Sequence, residues 1–142
     1  MFLLYLLITP LGLIKLILKL IQPSDDHQVV KNEYCFDDRV AFLVNKFAND
    51  FPDRLDKLSV EDLEMYRPFM MTWQNLFHQY DIIQAYSTDP ILPLLADKPY
   101  FAFEHGTLRE IPFQADAQGR RTALSYKMAN HVFVTNADCL EN

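Results

Sequence analysis

At 142 residues, half of them apolar and 13% aromatic, the chain is one domain or a large piece of one, and too apolar to be disordered. A formal charge of −6 supplies no basic field for neutralising phosphates, which argues against a nucleic-acid partner. The three glycines, Gly12, Gly106 and Gly119, are too few for a GxGxxG turn or a Walker loop.

Residues 1–22, MFLLYLLITPLGLIKLILKLIQ, are the most hydrophobic stretch, interrupted by Pro10, Gly12, Lys15 and Lys19. Gly12, Lys15, Lys19 and Gln22 draw a narrow polar stripe on an otherwise apolar helix. Three readings stand: a helix lying on or anchored in a membrane surface, an element buried by a larger fold, or a signal peptide. The last lacks a basic residue ahead of the apolar run and a small-x-small cleavage site after it. Residues 23–36 read as a polar linker.

Asp37 is placed to cap a helix over residues 38–48, with Val40, Leu43, Val44 and Phe47 on its apolar face. Ser59 and Asp62 have capping-box spacing and open a short helix that Pro68 interrupts. Pro68 then starts a second helix to about Gln79, burying Phe69, Met70, Trp73, Leu76, Phe77 and Tyr80 as core.

From Asp81 short apolar strands alternate with helices. The spacing predicts strands over Asp81–Tyr86, Pro99–His105 and His131–Thr135. The first is followed by a helix with Asp89 as N-cap and Pro90 as its first residue. After a loop over 107–115, a second helix runs from Asp116 to Ala129, with Asn130 as its stop. This alternation means an α/β fold: a short parallel sheet with right-handed crossovers, flanked by helices. Cys35 and Cys139 lie far apart without a CxxC partner and read as free thiols in a reducing cytosol. The expected location is therefore cytoplasmic, with residues 1–22 at the inner membrane face in the peripheral reading.

Ligands of open parallel sheets bind at the carboxyl ends of the strands. That rule selects Ser87 to Asp89, Glu104 to Arg109, and Thr135 to Asp138. FEHGTLRE is the richest of these: His105 ends a strand, and Gly106 permits a sharp turn or close approach of a ligand. Glu104 and His105, being adjacent on a strand, leave opposite faces and do not chelate one metal together. Neither HxxxH nor HExxH occurs, so no metal site is expected. A Ser87–His105–Asp89 triad lacks the GxSxG elbow.

YDIIQAYSTDPILPLLADKPYFAFEHGTLREIPF and GRRTALSYKMANHVFVTNADCLEN resemble the acceptor-side domain of retaining family-four glycosyltransferases (glycosyl transferases group 1). The family's run of proline, strand and His-Gly matches Lys98-Pro99 through His105-Gly106, and its next helix and strand match Gly119 to Asp138. The resemblance is clear over the last 63 or so residues, weak back to about Asp38, and not evident in 1–36. It implies the GT-B architecture, two Rossmann-like domains across a cleft, with residues 37–142 as part of the first. The implied activity is transfer of a sugar from a nucleotide-sugar donor to a sugar, lipid-linked or small-molecule acceptor, with retention. No metal or other cofactor is implied, because the nucleotide-sugar is a co-substrate held mainly by the second domain. His105 is the implied catalytic residue, with Gly106, Thr107, Arg109, Ser87 and Thr88 as the substrate-binding set around it. Three departures stand out. Glutamine and tyrosine occupy the Asp81–Tyr86 strand where many members carry histidines, the early glycine-rich loop is missing, and no donor domain follows. The chain is therefore expected to be a fragment, inactive by itself. The rival expectation is a non-catalytic, membrane-associated interaction module built on a Rossmann-like half-domain.

Overall fold

A computed structural model describes residues 35–135. The expected 1–22 helix and all but the last two residues of the 23–36 linker lie outside the described residues.

The described chain opens with three helices, α1 (Phe36–Asp50), α2 (Glu61–Glu64) and α3 (Arg67–Phe77). Helix α1 buries Phe36, Val40, Leu43 and Phe47 at i, i+4, i+7 and i+11, with Val44 packed beside them. Its N-cap is Cys35, without a side-chain cap bond, so Asp37 is not the expected cap. Asp37 lies inside the first turn, where a carboxylate suits the positive end of the helix dipole, and pairs with Arg67. Phe36, counted in sequence as linker, is buried and belongs to the core.

The capping box forms as spaced. The Ser59 backbone N–H donates to Asp62 Oδ2 at 3.0 Å, and the Asp62 N–H donates to Ser59 Oγ at 3.4 Å. Helix α3 has Pro68 in its first turn and buries Met70 and Phe77, with Trp73, Leu76 and Tyr80 half-buried against the core. Phe69 is an exception: it is 59% exposed, because it sits about 100° around the helix from Met70, off the buried stripe.

The sheet comprises β1 (Ile83–Tyr86), β2 (Tyr100–Phe103) and β3 (His131–Phe133), all parallel, in the order β1-β2-β3. The two crossovers contain α4 (Ile91–Leu95) and α5 (Ala117–Lys127). Asp116 caps α5 by accepting the Gly119 N–H at 2.7 Å. Asn130 stops α5 without adopting a left-handed conformation. It joins the sheet edge instead: its Oδ1 accepts the Tyr100 N–H, and its own N–H donates to Tyr100 O, both at 3.0 Å.

Sequential strand order with same-handed crossovers places both connecting helices on one face, and α4 and α5 pack against each other there. Ile83, Ala85, Tyr100 and Ala102 point into that layer and are buried with Leu94, Leu95 and Leu124. Each fully buried leucine or phenylalanine contributes about 1.5–3 kcal/mol relative to exposure. The opposite face carries Gln84, Tyr86, Phe101, Phe103, His131 and Phe133. Phe103 stacks on Phe133 at 4.5 Å and contacts Tyr86 at 5.1 Å, and Phe133 is still 46% exposed. Among the described residues no helix is long and apolar enough to cross a membrane.

Candidate functional site

Parallel pairing in the register Tyr86↔Phe103 brings the carboxyl ends of β1 and β2 side by side. Beyond Tyr86 the chain turns sharply, with Ser87 at φ 54° and its N–H donating to Phe103 O at 3.1 Å. Beyond Phe103, Gly106 has φ 86°, and a Cβ at this position would meet nothing within 4 Å. Glycine is thus favoured there by backbone conformation and not by lack of space. A 3-10 turn over Thr107–Arg109 follows.

These two turns are tied together. Thr107 is buried and its Oγ1 donates to Ser87 Oγ at 3.0 Å. Tyr126 on α5 donates to Phe103 O at 3.1 Å, and burial pushes its phenol pKa up. Glu104 is the anchor beneath them. It is fully buried; its carboxylate accepts the Leu108 N–H at 3.4 Å and the Thr135 hydroxyl at 3.3 Å, and its own N–H donates to Phe133 O at 2.8 Å. One carboxylate thus connects the end of β2, the turn carrying Arg109 and the segment after β3. His105 and Gly106 are exposed at this rim, and so is Arg109.

Of the expected site residues, Ser87 and Thr107 are in direct contact, Gly106 shapes the turn, and His105 and Arg109 face solvent near them. Thr88 is separated from this group in role, since it lines an adjoining cleft. That cleft, about 200 Å³, is bounded by Tyr66, Thr88, Asp89, Ile91, Leu92, Gln118, Arg121 and Thr122. It opens between the carboxyl end of β1, the start of α4 and the first half of α5.

Asp89 is not the expected N-cap of α4: no side-chain cap bond forms there, and Pro90 precedes the helix proper at Ile91. The Asp89 backbone oxygen accepts from Leu92 N at 2.9 Å, and Asp89 lines the cleft. Half-burial raises its carboxyl pKa to about 6, with desolvation as the cause. Arg121 donates to Asp62 O at 2.9 Å and lies over the Tyr66 ring, 5.7 Å from its centroid. The Tyr66 hydroxyl is pushed up mainly by burial, while Arg121 and Asp89 act on it in opposite senses, so both charges are near. Tyr66, Gln118 and Arg121 were not identifiable as site residues from the sequence. Thr88 and Asp89 carried a signal, because the strand-end rule reaches both. Residues 136–138, the third region singled out by that rule, lie outside the described residues. Among the described residues no three His, Cys, Asp or Glu side chains gather as metal ligands.

Comparison of the chain with family models, curated proteins and solved structures brings no match.

Proposed function

We propose that the chain is the acceptor-side part of a retaining glycosyltransferase, acting with a donor-side domain on a nucleotide-sugar and a sugar, lipid-linked or small-molecule acceptor. The observation that carries this reading is the exposed His105–Gly106 turn at the carboxyl end of the middle strand, braced by Glu104, Thr107 and Ser87. In an open parallel sheet this is where ligands bind.

The reaction breaks the bond between the anomeric carbon and the diphosphate oxygen and forms one from that carbon to an acceptor oxygen. The acceptor proton leaves with the departing diphosphate. His105 hydrogen-bonds the sugar or acceptor, orients the pair and stabilises charge as it develops. Arg109, on the same turn, reaches anionic oxygens of the acceptor or diphosphate. The donor domain holds the nucleotide. Residues 1–22, an apolar run that carries Lys15 and Lys19, bring the assembly to the inner membrane surface.

The test supplies the chain and its donor-side partner with isotope-labelled nucleotide-sugars and reads the product's anomeric configuration by NMR. Label in an acceptor with retained configuration is expected; hydrolysis alone, inversion or no turnover of any nucleotide-sugar overturns the reading. The open aromatic face of the sheet favours a second reading, a non-catalytic module that docks to a partner. That reading predicts stable complex formation without sugar transfer.

A further inference from the structure

We propose that the cleft between β1, α4 and α5 is a pyranose pocket that seats a saccharide part of the acceptor; the acceptor role, though not the binding of a saccharide, rests on the glycosyltransferase reading. Its size, about 200 Å³, suits one six-membered sugar ring. Its chemistry selects a neutral, hydroxyl-rich ligand. The Asp89 carboxylate in the wall disfavours a phosphate or carboxylate ligand, and the Arg121 guanidinium disfavours a simple cation.

A sugar meets both groups. Vicinal hydroxyls donate to a carboxylate and accept from a guanidinium or an amide, here from Arg121 and Gln118. Ile91 and Leu92 offer the apolar wall that the C–H face of a pyranose requires, while the Thr88 hydroxyl both donates and accepts. Two features give the site a fixed shape. Arg121 is held by its bond to Asp62 O and by the Tyr66 ring, and Thr122 in the lining is buried. Among the described residues the half-buried Asp89 carboxylate gains no side-chain hydrogen bond or charge partner that lowers its pKa, so its desolvation is uncompensated there. Ligand hydroxyls restore the lost hydrogen bonds.

Saturation-transfer NMR on the full chain tests this, using millimolar methyl pyranosides of glucose, galactose, mannose and N-acetylglucosamine, with free serine as the zwitterionic competitor. Transfer to at least one pyranoside is expected, with affinity lowered roughly tenfold or more by Asp89→Asn, which keeps the side-chain volume. Arg121→Met should weaken the same pyranoside, and Lys127→Ala, on the exposed end of α5, should leave it unchanged. No transfer to any pyranoside, equal signals in Asp89→Asn, or preference for serine overturns the pocket. The two proposals separate cleanly. Pyranoside binding that depends on Asp89 without sugar transfer upholds the pocket and sinks the enzyme. Transfer whose acceptor KM is unmoved by Asp89→Asn does the reverse.

Discussion

Asp89 carries an energetic cost that a purely structural residue would not retain, because a neutral side chain of the same shape avoids it. The folded carboxyl titrates at about 6 against an ordinary 3.8, so between those values the folded state binds more protons than the unfolded one. Stability therefore falls as pH rises through this window, and the cost is complete above about pH 6. Asp89→Asn is expected to stabilise the chain on the order of 1 kcal/mol at neutral pH, allowing for the group's partial contact with solvent. Thermal melts from pH 3 to pH 8 check this: the gain should vanish at the acid end, and a variant less stable than wild type at neutral pH contradicts it. Such a perturbed carboxylate in a cleft is a feature of functional sites. The sequence offered two roles for it, an N-cap, since Asp before Pro before an apolar run is a good capping pattern, and a place at the end of a strand where ligands bind. The left-handed turn at Ser87 redirects the chain, and no local pattern announces it.

Among the elements, α5 depends on contacts that no periodicity reveals. A Cβ on Gly119 would lie 2.1 Å from Gln114 O and 2.8 Å from Ile111 O. The first turn of α5 is therefore pressed against the 3-10 turn Ile111–Phe113, and the glycine is required for space. Gly119→Ala should cost about 2–3 kcal/mol, read as a lower midpoint in urea; an unchanged midpoint would mean the two segments are not in this contact. Nearby, Arg120 donates to both Asp62 carboxylate oxygens, at 2.7 and 2.8 Å, and so joins α5 to the capping box of α2. The Arg120 guanidinium, followed by the Ser59 backbone bond, holds the Asp62 carboxyl below its ordinary value despite desolvation. Its contribution is present above the ordinary 3.8 and is lost as pH falls through the lower folded value. Asp62→Ala should cost roughly 2 kcal/mol at neutral pH, because it removes both charge-assisted bonds to the largely buried Arg120 guanidinium and leaves it the longer pair with Asp56 at 3.6 Å. The deficit should shrink in acid, and a pH-independent deficit would assign the loss to packing. The Ser59–Asp62 box was legible because its spacing is local. Its long-range partner, 58 residues away, was not.

At the scale of the whole molecule, strand–helix alternation was enough to read the parallel sheet, because runs of two-residue and 3.6-residue period are distinct over these lengths. The layer of helices on one face follows from the handedness of the crossovers. The other face, with Phe101, Phe103 and Phe133 partly open, was not legible, since an apolar strand looks the same whether one side or both are covered. The candidate site was legible in part. His105 and Gly106 were found by the strand-end rule, whereas Glu104, which the same rule reached, was weighed only as a metal ligand and not as the buried brace beneath them: a fully buried carboxylate is uncommon, and its partners at Leu108 and Thr135 come from separate turns.

Because His105 is exposed at the rim, its truncation leaves no cavity and should change stability by less than about 0.5 kcal/mol. A contact that strengthens as charge develops is worth about 3–4 kcal/mol, or 10²–10³ in rate. Turnover and melting temperature of His105→Ala, measured on one preparation with the donor-side domain present, therefore decide the role of His105. For a catalytic His105, kcat and kcat/KM fall together by about 10²–10³ while the melting temperature stays put. Normal turnover in His105→Ala, with or without a lowered melting temperature, would contradict it.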